Sequence, residues 1–142
     1  MGFSLIASET DILPLNKYHG IADSLFQIKN YDEAILNYER AATIYHSEKS
    51  WENEVICLNA LAIAHEKNRD FDKAIETLNK SLDLGLTHLD QDNEHLADIF
   101  NLKGQVYYYK GDYYKAVFSG QEAVKRWEMI FGPNDYIVAK GY

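Results

Sequence analysis

One pattern recurs three times along this chain at a nearly constant distance, and it limits the fold more than any other feature. Residues 58–81, LNALAIAHEKNRDFDKAIETLNKS, place small or apolar residues at Leu58, Leu61, Ala62, Ala74, Leu78 and Ser81, with His65 and an Asp-Phe-Asp turn between them. Residues 15–41 repeat the pattern with Tyr18, Ile21, Ala22, Leu25, Ala34, Tyr38 and Ala41, and residues 97–123 with Phe100, Gly104, Tyr107, Ala116 and Ala123. The equivalent alanines Ala34, Ala74 and Ala116 are 40 and 42 residues apart. Such a period signals a stacked solenoid rather than a globular fold.

The residue types have a physical reason. Ala22 with Ala34, Ala62 with Ala74 and Gly104 with Ala116 put small side chains where two antiparallel helices cross, so that the backbones approach closely. Larger apolar residues fill the groove around that contact. One hairpin cannot hide its own apolar stripe, so the hairpins must stack to form a continuous core.

These residues resemble the tetratricopeptide repeat over about residues 15–131. The closing proline of that repeat is replaced by His46, Leu86 and Glu128, Lys103 stands where a leucine is usual, and Gly120 stands where an aromatic is usual. Repeat three is therefore expected to pack least tightly. The spacing, the LNALA segment and the tail FGPNDYIVAK are similar to the kinesin-light-chain type of repeat. The resemblance implies an all-α, right-handed superhelical solenoid of antiparallel hairpins: three repeats plus the start of a fourth helix. In one domain spanning 1–142, the repeats are expected at about 15–46, 51–84 and 93–131, with a partial helix at 135–142.

Local signals refine these boundaries. Residues 1–12 read as a loose cap, and Pro14 suits the first turn of a helix. Asn30 marks a turn, Ser50 reads as an N-cap, Gly85 as a left-handed helix end, and Gly132-Pro133 as a stop. The unfinished fourth helix suggests a longer array, or an end covered by another chain.

Composition narrows the function. The formal net charge is −8, which disfavours a nucleic-acid grip, since phosphate binding needs clustered Lys and Arg. The single cysteine, Cys57, forbids an intrachain disulfide and reads as a small buried hydrophobe in a reducing compartment. No apolar run approaches the ~20 residues of a membrane span, and the N-terminus lacks the basic start of a signal peptide. A cytoplasmic protein is expected.

Little in the sequence proposes a reaction. His88, Asp90, Asp92, Glu94 and His95 lack the glycine and closing glutamate of a calcium loop and read as capping and solvated residues. His65-Glu66 is not followed by the second histidine of a zinc-protease motif. We expect no catalytic residue, no metal and no cofactor, and an enzyme is the least favoured class.

In the resembling fold the first helix of each hairpin lines a concave groove. Helical spacing then selects Asn16, His19, Asp23, Phe26 and Gln27 in repeat one. It selects Ile56, Asn59, Ile63, Glu66 and Lys67 in repeat two, and Asp98, Asn101, Gln105, Tyr108 and Tyr109 in repeat three. Asn59 and Asn101 occupy equivalent places, and a carboxamide can pair with both the N–H and the C=O of an extended peptide. The acidic Asp23, Glu66 and Asp98, against the lone clear cation Lys67, oppose a clamp for a carboxylate tail and favour a neutral or basic peptide. An interaction scaffold or adaptor is the leading expectation. The alternatives are self-association as a homodimer through Val117, Val124, Trp127, Ile130 and Phe131 at the C-terminal end, and a peptide-sensing regulatory domain.

Overall fold

The computed structural model describes residues 16–133, which form six α-helices and no strand. They are α1 (Lys17–Gln27), α2 (Tyr31–Ser47), α3 (Trp51–Lys67), α4 (Phe71–His88), α5 (Glu94–Lys110) and α6 (Tyr113–Phe131). Each helix packs against the next, and α3 also touches α5, so the first helices of the second and third hairpins lie side by side. The expected cap at 1–12, Pro14 and the partial helix at 135–142 lie outside the described residues.

The small residues sit where the hairpins need them. Ala22, Ala34, Ala41, Ala62, Ala74, Ser81 and Ala123 are all buried. A Cβ added to Gly104 would lie 3.3 Å from the carbonyl oxygen of Ala116, which shows how near the two backbones come. One core cluster joins α1, α2 and α3 through Tyr38, Tyr45, Leu58 and Leu61. A second joins α3, α4 and α5 through Val55, Leu78, Leu96 and Ile99.

Four of the five connections share one construction. Lys29, Lys49, Arg69 and Gly111 adopt positive φ of 62°, 57°, 62° and 93°. In each, the left-handed residue and its successor donate back to the preceding helix, as Lys29 N–H does to Phe26 and Asn30 N–H to Leu25. This pair of bonds closes the helix end. The successor, Asn30, Ser50, Asp70 or Asp112, is already the N-cap of the following helix. Asn30, Asp70 and Asp112 accept from the backbone three residues on. Ser50 is an N-cap without that bond; its hydroxyl accepts from Asn53 Nδ2 at 2.9 Å instead.

Gly85 is not a helix end, contrary to the sequence expectation. It lies inside α4, which continues to His88, and it is buried. A Cβ there would come within 2.5 Å of Leu96 Cδ2. Its smallness admits α5 rather than a turn, and the chain instead leaves α4 through residues 89–93, where Asn93 caps α5.

A polar latch also recurs between repeats. Asn68 at the end of α3 donates to Asp32 Oδ1 at 2.6 Å, and Lys110 at the end of α5 pairs with Asp72. Asp32 and Asp72 occupy the same position in the first turns of α2 and α4. Elsewhere between the first two repeats, the buried Glu54 carboxylate is held by His46 Nδ1 at 3.0 and 3.1 Å.

Two glycines should respond to alanine with opposite signs. Gly111→Ala forces a Cβ into the left-handed region and should cost about 1 kcal/mol. Gly20→Ala, inside α1 with nothing within 4 Å of the new Cβ, should gain about 0.5–1 kcal/mol. Urea unfolding of both variants checks the pair.

Candidate functional site

Helices α3 and α5 diverge enough to leave a cavity of about 340 Å³, lined by Ile56, Asn59, Ala60, Ile63, His95, Asp98, Asn101 and Leu102. It continues into a second hollow of about 330 Å³, formed by Asn101, Gly104, Gln105, Tyr108, Tyr109, Ala116, Val117 and Gly120. Asn101 belongs to both. The structure thus brings Asn59, Ile63, Asp98, Asn101, Gln105, Tyr108 and Tyr109 onto one continuous surface.

The two asparagines are not in the same state. Asn59 is buried, and its Oδ1 accepts from Ser81 Oγ at 2.8 Å, which leaves its amide protons for a ligand. Asn101 is half-buried and makes no hydrogen bond among the described residues. Glu66 is half-buried and Lys67 exposed at the end of α3.

Repeat one departs from the expectation. His19 is buried, with Nδ1 2.9 Å from the Tyr45 hydroxyl. Asn16 is the N-cap of α1: its Oδ1 accepts from His19 N–H at 3.0 Å and its Nδ2 donates to the Ala41 carbonyl at 3.2 Å. Asp23 accepts the Tyr38 hydroxyl at 2.6 Å. These side chains brace α1 against α2, and Asp23 alone of the three remains exposed. Polarity on a predicted groove strip was misleading here because Tyr38 and Tyr45, at core positions, carry hydroxyls that need partners.

At the C-terminal end Val124 is buried, and Trp127 and Ile130 are not among the exposed apolar residues. The exposed large apolar residues of α6 are Tyr113, Tyr114, Val117 and Phe118, with Met129 and Phe131 further along. Of the residues expected for self-association, Val117 and Phe131 face solvent and Val124 does not. Tyr114, which the tyrosine-rich sequence offers as interface area, is 93% exposed, whereas Phe118 was missed; aligning the repeats could have found it, since it stands where Glu76 stands in repeat two.

His95 was also missed as part of the groove. Its ring lies 3.7 Å from both Asp98 and Glu52, and its bond to Asp98 raises its pKa despite burial. Burial lowers the pKa of His19 and of His65. It also raises the Cys57 thiol to about 12, which keeps that sulfur unreactive. His88 stacks on Trp51 at 4.0 Å. Among the described residues no group of three His, Cys, Asp or Glu could hold a metal ion, and no helix is long and apolar enough to cross a membrane.

Stacked hairpins with small residues at their crossings and a groove lined by the first helices define a helical-repeat solenoid. The model of the tetratricopeptide repeat family matches residues 14–86, and the chain belongs to that family. No curated protein matches it in sequence. Among solved structures, BtubC (BKLC) from P. vanneervenii is similar, with a TM-score of 0.76 and 18% identity over 85% of this chain and 48% of its own. So are the nearly identical TPR-like repeats of a Podosopora anserina chain described as a kinesin light chain, with a TM-score of 0.71 and 17% identity over 87% of this chain and 60% of its own. The TPR2AB domain of yeast Sti1, in a complex with pHSP90, has a TM-score of 0.69 and 21% identity over 95% of this chain and 46% of its own. The chain thus spans about half the length of BtubC and of the Sti1 domain.

The buried histidines give a pH dependence. His19 and His65 have folded pKa values below the unfolded 6.5, so the unfolded chain binds more protons and stability should fall as pH drops below about 6.5. His95, raised in the fold, acts oppositely, and its contribution is lost as pH rises through its folded pKa. Urea midpoints should therefore decline as pH falls below about 6.5. Replacing His19 or His65 by asparagine should flatten that decline.

Proposed function

We propose that the chain is a protein-interaction module that holds an extended peptide along α3 and α5. The carrying observation is the continuous surface that joins Asn59 and Asn101, one repeat apart, to the apolar walls of Ile56, Ile63 and Leu102. An extended backbone laid there meets an amide donor at Asn59 and a complete carboxamide at Asn101, which suits main-chain recognition with little dependence on sequence. Asp98 and Glu66 supply negative charge on the same strips, and with a net charge of −8 they favour a neutral or basic segment.

Family membership supports the reading, and so does the Sti1 domain, whose complex contains pHSP90. The hollow beside Tyr108 and Tyr109 adds a place for a large side chain. It is open because Gly120 stands where Tyr38 and Leu78 fill the other repeats, with nothing within 4 Å of an added Cβ. A scaffold or adaptor role in the cytoplasm is the setting we infer.

A peptide selected from a random library on the immobilised protein provides the test. Asn59→Ala with Asn101→Ala should weaken it by more than about 1 kcal/mol, roughly fivefold, and added salt should weaken a basic one further. Unchanged affinity in the double variant would remove the groove from the account.

A second reading is favoured by the uncovered face of α6. Tyr113, Tyr114, Val117 and Phe118 surround a hollow of about 440 Å³, and two copies could bury these faces against each other. Light scattering across concentration should then show a dimer that Phe118→Glu converts to monomers, and a monomer at every concentration would exclude it.

A further inference from the structure

Away from the groove, α2 and α4 stand apart over a cavity of about 400 Å³ whose floor is α3. It is lined by Glu39, Leu58, Leu61, His65, Lys73, Glu76, Thr77 and Lys80. That volume lies within the range of small-molecule sites. The floor is mainly apolar: Leu58, Leu61 and His65 recur at helical spacing on α3. One wall is the Lys73, Glu76, Thr77, Lys80 face of α4, and Glu39 projects from α2 on the other side.

Two observations set this cavity apart from an ordinary solvated cleft. His65 is only 8% exposed, yet its ring makes no hydrogen bond among the described residues. Its ring nitrogens are not enclosed, since among the described residues the fully buried side-chain atom without a partner is Arg126 Nε, and they stay open to a ligand in the cavity. The surrounding charges are also uncommitted. Lys73 reaches Asp70 at 3.8 Å, but Glu39, Glu76 and Lys80 form no ion pair within 4.0 Å, although Glu76 and Lys80 are one helical turn apart. The Thr77 hydroxyl is already spent on the Lys73 carbonyl at 2.8 Å.

We propose that this cavity is a binding site for a small zwitterion with an apolar body, of the size and chemistry of a free apolar α-amino acid. Carboxylates on two different helices, Glu39 and Glu76, converge on the cavity and suit an ammonium, the neutral His65 ring adding an acceptor beside them. Lys80, one turn further along α4, suits the carboxylate, with Lys73 contributing positive charge. The side chain lies on Leu58 and Leu61. A simple anion meets the two glutamates and a simple cation meets the two lysines, so a ligand carrying both charges is matched best. The site is separate from the peptide groove and does not depend on it.

The test is an NMR titration of the whole chain at about pH 7 with L-leucine, leucinamide, which lacks the carboxylate, and 4-methylpentanoate, which lacks the ammonium. L-leucine should give saturable shifts at the amides of Leu61, His65 and Thr77, and at the His65 ring. The two analogues should bind about tenfold more weakly or worse, the loss of one charge-assisted contact. Glu39→Gln and Lys80→Met, both on exposed helical positions, should each weaken L-leucine by a similar factor without unfolding the chain. The proposal is overturned by no saturable shift, by an equal response to all three compounds, or by shifts centred on Asn59 and Asn101.

Discussion

The close approach of two helix backbones in each hairpin is the constraint on which the remaining structure rests. It needs a small side chain on each helix at one level, and the pairs Ala22 with Ala34, Ala62 with Ala74, and Gly104 with Ala116 supply it three times. With the backbones that near, tyrosines and leucines at neighbouring positions interlock around the contact rather than prop the helices apart. The hairpin then has two faces still to cover. Cys57 against the Tyr38 carbonyl at 3.3 Å and Leu96 against Gly85 show how the next hairpin does so.

Turns of fixed construction convert that contact into a stack. A connection in which one left-handed residue ends a helix and its successor begins the following one leaves almost no freedom in the angle between them. Three of the four left-handed positions are Lys or Arg rather than glycine, so the chain tolerates local strain of about 1 kcal/mol at each. The surrounding bonds, two from the turn and further ones from the N-cap, hold the geometry against it. The longer connection at 89–93 breaks the series, and it is also where Asn93 reaches back to Glu52 at 3.2 Å. It therefore ties repeat three to the start of α3 by side chains instead.

The fold was legible in the sequence because small residues recurring at a fixed period fit stacked hairpins and little else. The groove was only half legible. Asn59, Asn101, Asp98, Tyr108 and Tyr109 fall where helical spacing puts them, whereas His19 and Asn16 are taken up by partners that lie on another helix. Spacing gives the face of a helix but not what the facing helix offers, and Tyr45 lies 26 residues from the histidine it engages. Gly85 shows the same limit: a glycine near a helix end signals a cap only if nothing needs to pass beside it, and Leu96 does.

Repeat three shows what happens when the pattern is kept at the crossing and relaxed elsewhere. Gly104 and Ala116 preserve the close contact, and Ala123 is buried like Ala41 and Ser81. The position filled by Tyr38 and Leu78 holds Gly120, and the latch acid of Asp32 and Asp72 becomes Tyr114. The first change opens a hollow next to the groove. The second removes the carboxylate by which α2 and α4 each grip the end of the next first helix, and puts an exposed aromatic in its place. A further repeat of the same kind would have no acid to latch onto there, and the face of α6 offers exposed aromatic and apolar side chains in place of the carboxylate that joins repeats one to two and two to three.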